Sequence, residues 1–375
     1  MSKKRVVVGL SGGVDSSVTA KLLVDQGYEV IGVFMKNWDD KDDPHCPAAV
    51  DAMDARKVAD KLGIPFYSFN FAKEYWRDVF DYFLEQHRQF RTPNPDILCN
   101  QFIKFKVFLE AAEKLGADFI ATGHYAKNYF NDETGLFELQ VPHDANKDQT
   151  YFLYTLGQAQ LAKTLFPLAD IPKSKIREMA LKAGLHNAKK KDSTGICFVG
   201  ERDHMEFLKK YLEQTPGDIV TEKGDIIGQH IGLSFYTIGQ RRNLNIGGVK
   251  NYPEAPWFVL AKDTGKNEII VCQDDDNPRL MQTELTANRL HWVAGAAPTS
   301  TKITAKIRYR QNFQTCTIEV EPETGLQNSN ASSGDRSHET IKVTFDEPQR
   351  AVTPGQSIVF YDEAMQVCLG GGEIC

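Results

Sequence analysis

The sequence contains no CxxC pair, and its seven cysteines are an odd number. This pattern disfavours both a disulfide framework and a structural zinc site. It also contains no apolar run long enough to span a bilayer. The first apolar stretch is short and leads directly into glycines, so it is predicted to be a strand and not a signal peptide. We therefore expect a cytoplasmic protein with no membrane partner and no bound structural metal.

The chain also lacks an excess of positive charge, since 44 Lys and Arg stand against 50 Asp and Glu, a net charge of −6. A broad positive field, typical of non-specific nucleic-acid binders, is thus absent. Any nucleic-acid partner would have to be held by local basic patches. The length of 375 residues exceeds the size of one hydrophobic core, which predicts two or three domains.

Apolar strand-like runs alternate with helical patterns over the first 210 residues. This alternation predicts βαβ units, and hence an α/β domain with a parallel sheet covered on both faces. Within it the segment TPNPDILCN at 92–100 is rich in turn formers and is predicted to be a loop, followed by a helix from FIKFKVFLEAAEKLG.

The pattern changes after about Tyr211, where short β-rich runs are separated by Gly and Asn-Pro turns. No convincing helix follows, which predicts two small β-rich domains, the last of them barrel-like. The expected domains are 1–210, 211–282 and 283–375. The polar stretch at 328–340 is predicted to be a flexible hairpin loop.

The segment SGGVDSS at 11–17 lies between the first predicted strand and the first predicted helix. Gly12 and Gly13 allow a sharp turn that aims N–H groups inward, and the helix N-terminus adds partial positive charge. Serine hydroxyls add further donors, so the segment suits a phosphate group. It is not a Walker A motif, because the lysine of that motif is missing. The alternative is an ordinary strand–turn–helix joint with an N-capping serine.

This loop resembles the pyrophosphatase-type loop of N-type ATP pyrophosphatases, which cleave ATP to AMP and pyrophosphate. Alone, that resemblance leaves the substrate open. Nearly the whole chain, from the N-terminus to GQSIVFY at 355–361, is similar to the MnmA family of tRNA-specific 2-thiouridylases. The similarity rests on the loop together with TPNPDILCN, ATGHYA at 121–126, KDQTYFLY at 147–154 and DSTGICFVG at 192–200. It implies ATP-dependent adenylation of the C2 oxygen of wobble uridine 34, followed by sulfur transfer from a cysteine persulfide.

Two of the cysteines lie in segments without regular periodicity. Cys197 follows Lys189, Lys190, Lys191 and Asp192, and Cys99 lies three residues after Asp96. A thiol with a pKa of about 8.5 needs a polar or positive setting to react near neutral pH, and loops often carry reactive groups. The alternative for either thiol is a small buried apolar residue. We assign that role to Cys272 and Cys316, which lie in strand-like runs.

The resemblance assigns roles to individual residues. Cys197 carries the persulfide, Cys99 is its partner thiol, and Asp96 is the general acid/base. ATP, with Mg²⁺, is expected at Gly9, Leu10, Ser11, Gly12, Gly13, Val14, Asp15, Ser16, Met35 and Gly123. The target base is expected at Asn94, Pro95 and Asp96, and other parts of the tRNA at His124, Lys147, Asp148, Gln149, Arg308, Tyr309 and Gln356.

Three of these positions have plainer alternatives from the residues alone. Asp96 follows a proline and could simply form a turn. Met35 could pack in the core, and a lone histidine such as His124 is usually an ordinary polar residue. These alternatives remain open at the level of sequence.

Local basic patches are candidates for holding tRNA. The run TKITAKIRYRQN at 301–312 is predicted to be one strand with four cations on one face, able to follow phosphates. Its alternative is the solvated outer face of a barrel. Gln240 to Arg242 and Lys189 to Lys191 are the other candidates. The four cations of the predicted row are Lys302, Lys306, Arg308 and Arg310.

The family leads us to expect Lys, Glu and Gln tRNAs as substrates. The sulfur donor would be a cysteine desulfurase or a sulfur-relay protein, and the sequence does not distinguish them. Two other functions share parts of this pattern: a small-molecule amide ligase or synthetase with a pyrophosphatase loop, and a non-enzymatic RNA-binding protein. Neither needs the pair of loop cysteines.

Overall fold

A computed structural model describes residues 3–38, 48–191, 203–321 and 339–375, and its strands form three sheets. The first sheet is parallel, as predicted, with β1 at its centre. Val7 packs in one core and Val6 and Val8 in the other, because successive side chains of a strand point to opposite faces. The strands of this sheet, in spatial order, are β3 (Phe66–Asn70), β2 (Glu29–Lys36), β1 (Arg5–Gly9), β4 (Phe119–Ala121) and β7 (Thr164–Leu165).

Helices cover both faces of this sheet, which confirms the predicted α/β class. The helix α1 follows β1 directly and begins after Gly13. The helices are α1 (Val14–Asp25), α2 (Ala48–Leu62), α3 (Ala72–Tyr75), α4 (Asp81–Arg88), α5 (Pro95–Leu98), α6 (Phe108–Lys114), α7 (Gln158–Leu161), α8 (Lys173–Lys182) and α9 (His204–Leu208), with π-helical segments at Trp76–Phe80 and Cys99–Val107.

The loop predicted for 92–100 is wrong beyond Asn94. A continuous helical segment begins at Pro95 and runs through α5, the second π-helical segment and α6. The Asn94 side chain accepts a hydrogen bond from the Asp96 N–H, and proline stands at the first helical position. Both features favour a helix start, so residues that resemble turn formers are here an N-terminal cap.

The remaining chain is β-rich, as predicted, and the described residues after Tyr211 contain only two short 3₁₀ turns besides strands. The second sheet has the order β10-β11-β8-β9. Pairing of β12 with β17 closes the six strands β12 to β17 into a barrel, which confirms the predicted barrel-like end. The strands are β8 (Gly217–Thr221), β9 (Ile226–His230), β10 (Phe258–Asp263), β11 (Glu268–Cys272), β12 (Met281–Trp292), β13 (Lys302–Lys306), β14 (Gln314–Glu321), β15 (Thr340–Arg350), β16 (Ser357–Tyr361) and β17 (Val367–Ile374).

We call the parallel sheet with its covering helices the first unit. A hairpin between β4 and β7 joins it to the barrel. Its strands are β5 (Lys127–Asn131) and β6 (Leu136–Gln140), and β6 pairs with the start of β17. Backbone hydrogen bonds therefore continue from the barrel into the first 200 residues. Within the described ranges, no helix is both long enough and apolar enough to cross a membrane.

Candidate functional site

The 11–17 segment forms a tight loop at the C-terminal end of β1. Gly12 has φ +77, and a Cβ there would lie 2.5 Å from the Asp51 carbonyl oxygen, so only glycine fits. The Ser16 hydroxyl donates to the Gly13 carbonyl at 3.1 Å and accepts from the Ser11 N–H at 3.2 Å. The first N–H groups of α1 have no partner within their helix. The loop thus combines a helix N-terminus with hydroxyl donors, the arrangement that suits phosphate.

Asp15, in the first turn of α1, is held by two side chains from other elements. Lys173 Nζ lies 2.6 and 2.7 Å from its two carboxylate oxygens, and the Tyr125 hydroxyl donates to it at 2.8 Å. The side chains of Asp15 and Lys173 remain 29% and 11% exposed. Sequence reasoning missed Lys173, because it begins a short helix that carries no motif.

Asn187 fixes the outer side of the loop by donating to the Gly12 carbonyl and to the Ser17 hydroxyl, both at 2.9 Å. The other positions expected at ATP surround the loop. A Cβ at Gly9 would lie 3.0 Å from Met35 Cε, and one at Gly123 would lie 2.7 Å from the Ser16 nitrogen. The side chains of Leu10 and Val14 are buried in the core, which leaves their backbone groups for a ligand.

The barrel holds the segment that leads to Asn94. The Thr92 N–H donates to the Pro354 carbonyl at 2.9 Å, and Gln356 Nε2 donates to the Thr92 carbonyl at 2.6 Å. A Cβ at Gly355, which has φ +89, would lie 2.9 Å from the Thr92 nitrogen. Gln356 therefore positions the Asn94–Pro95–Asp96 turn from across the boundary between the first unit and the barrel.

Cys99 is fully buried at the start of a π-helical segment, so its predicted place in a loop is wrong. The helix capped by Asn94 carries this thiol inward, and π-helical turns are frequent at functional sites. Cys197 and Cys46 lie outside the described residues, as does the rest of 192–202. Cys272 and Cys316 are buried, which confirms the role assigned to them, and burial raises their pKa values to about 11 and about 12.

His124 follows β4 and lies beside the π-helical segment. Its Nδ1 is 2.8 Å from the Thr122 hydroxyl and its Nε2 is 3.5 Å from Lys104 Nζ. Burial, with a smaller contribution from the Lys104 charge, lowers the pKa of His124 well below its usual value, so the ring is neutral. The next residue, Tyr125, donates its N–H to Gln149 Oε1 at 2.9 Å. Tyr125 therefore links the phosphate loop to the 147–149 segment.

Asp148 forms a buried ion pair with Lys306 of the barrel. The two side chains are 4% and 8% exposed, and Lys306 Nζ lies 3.0 Å from Asp148 Oδ2. The Thr150 hydroxyl donates to the same carboxylate at 2.6 Å, and Lys306 Nζ also lies 3.9 Å from the centre of the Phe313 ring. Asp148, expected at the tRNA, thus has its carboxylate sealed between the first unit and the barrel.

The predicted row of four cations on one strand face is wrong. The strand β13 ends at Lys306, whose ammonium group is buried against Asp148. Arg308 Nη2 donates to the carbonyls of Arg350 and Ala351, and burial together with the Arg350 charge lowers its pKa. Arg310 has φ +65 in the turn that follows.

The remaining tRNA candidates are partly exposed. The Tyr309 ring lies 4.5 Å from the Phe152 ring across the same boundary, and Lys147 lies in the 3₁₀ turn just before Asp148. Arg241 and Arg242 are exposed. In contrast, Lys190 is bound to Asp51 and Asp54, each at 2.8 Å, which neutralises part of the third predicted patch.

Three family models match successive parts of the chain. They are described as a tRNA methyl transferase HUP domain over residues 4–201, a tRNA methyl transferase PRC-barrel domain over 205–273, and an aminomethyltransferase beta-barrel domain over 282–374. The names of these models mention methyl transfer, whereas the full-length relatives below are named for thiolation. Identity over the full length is the more specific of the two findings.

Curated relatives match from end to end. The tRNA-specific 2-thiouridylase MnmA of Francisella tularensis subsp. mediasiatica is 54% identical over 376 residues, covering 100% of both chains. MnmA of Francisella tularensis subsp. novicida and MnmA of Francisella philomiragia are each 53% identical with the same coverage. On this identity over the full length, the chain belongs to the MnmA family of tRNA-specific 2-thiouridylases.

Proposed function

We propose that this chain is a tRNA-uridine 2-sulfurtransferase that adenylates the C2 oxygen of wobble uridine 34 and then replaces that oxygen with sulfur. The products are 2-thiouridine, AMP and pyrophosphate. The observation that carries the proposal is one continuous set of contacts. It runs from Asp15 in the phosphate loop through Tyr125 to Gln149, whose neighbour Asp148 pairs with Lys306 of the barrel. The barrel also holds Thr92, just before the Asn94–Cys99 segment.

In the first step, the loop binds the phosphates of ATP through its N–H groups and hydroxyls. The uridine C2 oxygen attacks the α-phosphorus, and the bond to pyrophosphate breaks. Met35 and Gly123 lie beside the loop, at the carboxyl edge of the sheet where nucleotides bind in such folds. The carboxylate of Asp15 is partly exposed and suits the Mg²⁺ that accompanies ATP, while Lys173 supplies a cation beside the same phosphates.

In the second step, a persulfide on Cys197 attacks C2 and AMP leaves with the oxygen. The Cys99 thiolate then attacks the Cys197 sulfur, so the S–S bond breaks and the outer sulfur stays on C2. A Cys99–Cys197 disulfide forms, and an external thiol must reduce it before the next turnover. Asp96, in the first turn of α5, carries the protons. Cys99 is fully buried, so this step requires the segment around it to open.

The tRNA contacts that we propose lie along the boundary between the first unit and the barrel. Asn94 and Pro95 meet the target base, while Lys147, Gln149, Arg308 and Tyr309 approach the surrounding loop. His124 adds a neutral ring near the base, and Gln356 acts by holding Thr92. We propose residues 1–210, 211–282 and 283–375 as domains, tRNAs for Lys, Glu and Gln as substrates, and a cysteine desulfurase or relay protein as sulfur donor.

The test is mass analysis of wobble nucleosides after incubating tRNA with the protein, ATP, magnesium and a sulfur source. Cys197→Ser should still adenylate tRNA but form no 2-thiouridine, because a hydroxyl cannot hold a persulfide. Cys99→Ser should accept sulfur yet fail in sustained turnover. Cys316→Ser is the matched control, since that thiol is buried in the barrel wall and should not affect the chemistry. Full 2-thiouridine formation by Cys197→Ser would refute the proposed sulfur route.

A further inference from the structure

A cavity of about 230 Å³ lies between the first unit and the barrel, on a different face of the 95–107 helix from Cys99. Asn94, Ile97, Leu98 and Gln101 line it at the spacing of three and four residues that places side chains on one helix face. The barrel supplies the opposite wall. The cavity is smaller than the roughly 300–1,000 Å³ pockets that hold drug-sized ligands, and suits a group the size of one nucleobase.

Two buried polar atoms at this cavity have no hydrogen-bond partner among the described residues. They are Thr155 Oγ1 and His291 Nε2, and both residues line the cavity. Thr155 is only 9% exposed. Burial lowers the pKa of His291, so its ring is neutral. An unsatisfied buried hydroxyl destabilises the fold. Its presence in the wall is accounted for if a ligand with a matching donor or acceptor enters.

A bulge in β12 provides a cation at the same cavity. The pairing of β12 with β17 shifts register between Asn288 and His291, and Arg289 within that interval has φ +51. Bulges re-aim side chains next to functional sites. The guanidinium of Arg289 lies over the Tyr82 ring, 4.5 Å from its centre, while Tyr82 also donates to Glu373. Arg289 is exposed, so it stands where the cavity meets solvent.

We propose that this cavity binds one unpaired base of the anticodon loop, a neighbour of the nucleotide being modified, with Arg289 contacting its phosphate. Thr155 and Gln101 face the edge of that base. RNA-binding proteins commonly read splayed-out single-stranded bases in this way. Asn94 lies at the N-terminal end of the helix and belongs both to the proposed site of the target base and to this cavity. The target nucleotide and its neighbour can therefore bind on opposite sides of that helix end. This inference rests on the proposed function, because the RNA must be a tRNA substrate.

The experiment measures the affinity of the full chain for an anticodon stem–loop RNA by fluorescence anisotropy. A set of RNAs carries an abasic nucleotide at each unpaired loop position in turn, except the target uridine. Thr155→Val keeps the shape and removes the orphaned hydroxyl. It should weaken binding of the intact RNA about three- to tenfold, the usual effect of losing one hydrogen bond, with unchanged or increased thermal stability. For one abasic RNA, the effect of Thr155→Val should vanish.

Thr304→Val is the matched control. Thr304 is also buried, at 2% exposed, but its hydroxyl donates to the Asp362 carbonyl at 3.1 Å. This variant should lose stability and keep its affinity for RNA, the reverse of Thr155→Val. Arg289→Gln should reduce the slope of log affinity against log salt by about one, the value for one phosphate contact. Arg279→Gln, which removes the partner of Glu222, should leave that slope unchanged.

Wild-type affinity in Thr155→Val overturns the proposal, and so does a loss of equal size with every abasic RNA. The proposed function is checked separately by 2-thiouridine formation on the same stem–loop. A wild-type protein that forms no product refutes the function, whereas product formation without any dependence on Thr155 refutes only this base pocket.

Discussion

Two aspartate–lysine pairs of the same chemical type occupy different environments in this molecule. Asp15 and Lys173 lie at the phosphate loop, where the Asp15 side chain is 29% exposed although that of Lys173, at 11%, is nearly as buried as Lys306. Asp148 and Lys306 lie between the first unit and the barrel, where both are nearly inaccessible. The Asp148 carboxylate has Thr150 as a further donor, and Lys306 contacts the faces of the Phe313 and Tyr361 rings.

The difference separates a pair that can exchange partners from one that cannot. The partly exposed Asp15 carboxylate is accessible to a metal ion, and a bound phosphate can then replace it as the partner of Lys173. Removing either partner of a sealed pair strongly destabilises the fold, because the remaining charge stays buried without a partner or water. We therefore expect the first pair to govern chemistry and the second to govern the position of the 147–149 segment.

Breaking the sealed pair should give the largest effect. Lys306→Met leaves the Asp148 carboxylate buried without its partner and should lower the free energy of unfolding by about 3–5 kcal/mol. The double variant Asp148→Asn/Lys306→Met should recover most of that loss, because no lone charge remains. Urea denaturation measures both. If the single and double variants are equally unstable, the charge pair is not what holds this contact.

Breaking the Asp15–Lys173 pair should affect turnover more than stability. Asp15→Asn should reduce AMP and pyrophosphate formation about 10²- to 10³-fold, the usual cost of losing one preorganised polar group at a reacting centre. Its free energy of unfolding should fall by about 1–3 kcal/mol, less than for Lys306→Met, because the buried Lys173 loses a charged partner but the amide oxygen can still accept its hydrogen bond. Pyrophosphate release on tRNA gives the rate, and Asp25→Asn, at the far end of α1, is the control. Wild-type adenylation by Asp15→Asn would contradict the assignment of this loop.

A buried neutral histidine makes a third contact between the units depend on pH. His87 Nδ1 donates to the Ser234 carbonyl at 2.9 Å and joins α4 to the second β unit. Burial lowers its pKa to about 4, against about 6.5 in an unfolded chain. Stability from this group is complete above pH 6.5 and lost as the pH falls towards 4. The total is on the order of 3 kcal/mol. His87→Gln should flatten the denaturation profile over that interval, whereas an unchanged profile would assign the acid sensitivity to other groups.

A third lysine, on the surface, should give the smallest effect. Lys190 bridges Asp51 and Asp54 with about a third of its side chain exposed. Lys190→Met should cost about 0–1 kcal/mol in urea denaturation, as exposed ion pairs do. Because its charge is already matched, the salt dependence of tRNA affinity should stay the same. A weaker salt dependence in Lys190→Met would instead support Lys189 to Lys191 as a phosphate-binding patch.

The sequence predicted most of what depends on local patterns. Alternating strands and helices, the glycines of the phosphate loop and the change to short β runs each follow from residue type and period, and the structure has all three. The pairs made by Lys173 and Lys306 could not be foreseen, because each joins segments 158 residues apart. Cys99 was misplaced because Asn and Pro favour turns and helix starts equally, and only the fold decides between them.

The β5–β6 hairpin also constrains how the protein is made. Its strand β6 emerges from the ribosome more than 200 residues before β17, the strand with which it pairs. At about 5–20 residues per second, its outer edge stays unpaired for on the order of 10–40 s. An unpaired edge with the exposed aromatic residues Tyr129 and Phe130 nearby is a template for unwanted association. Synthesis of β17 therefore covers the exposed edge of β6 as well as completing the barrel. A nascent chain that stalls before Val367 should be prone to aggregate.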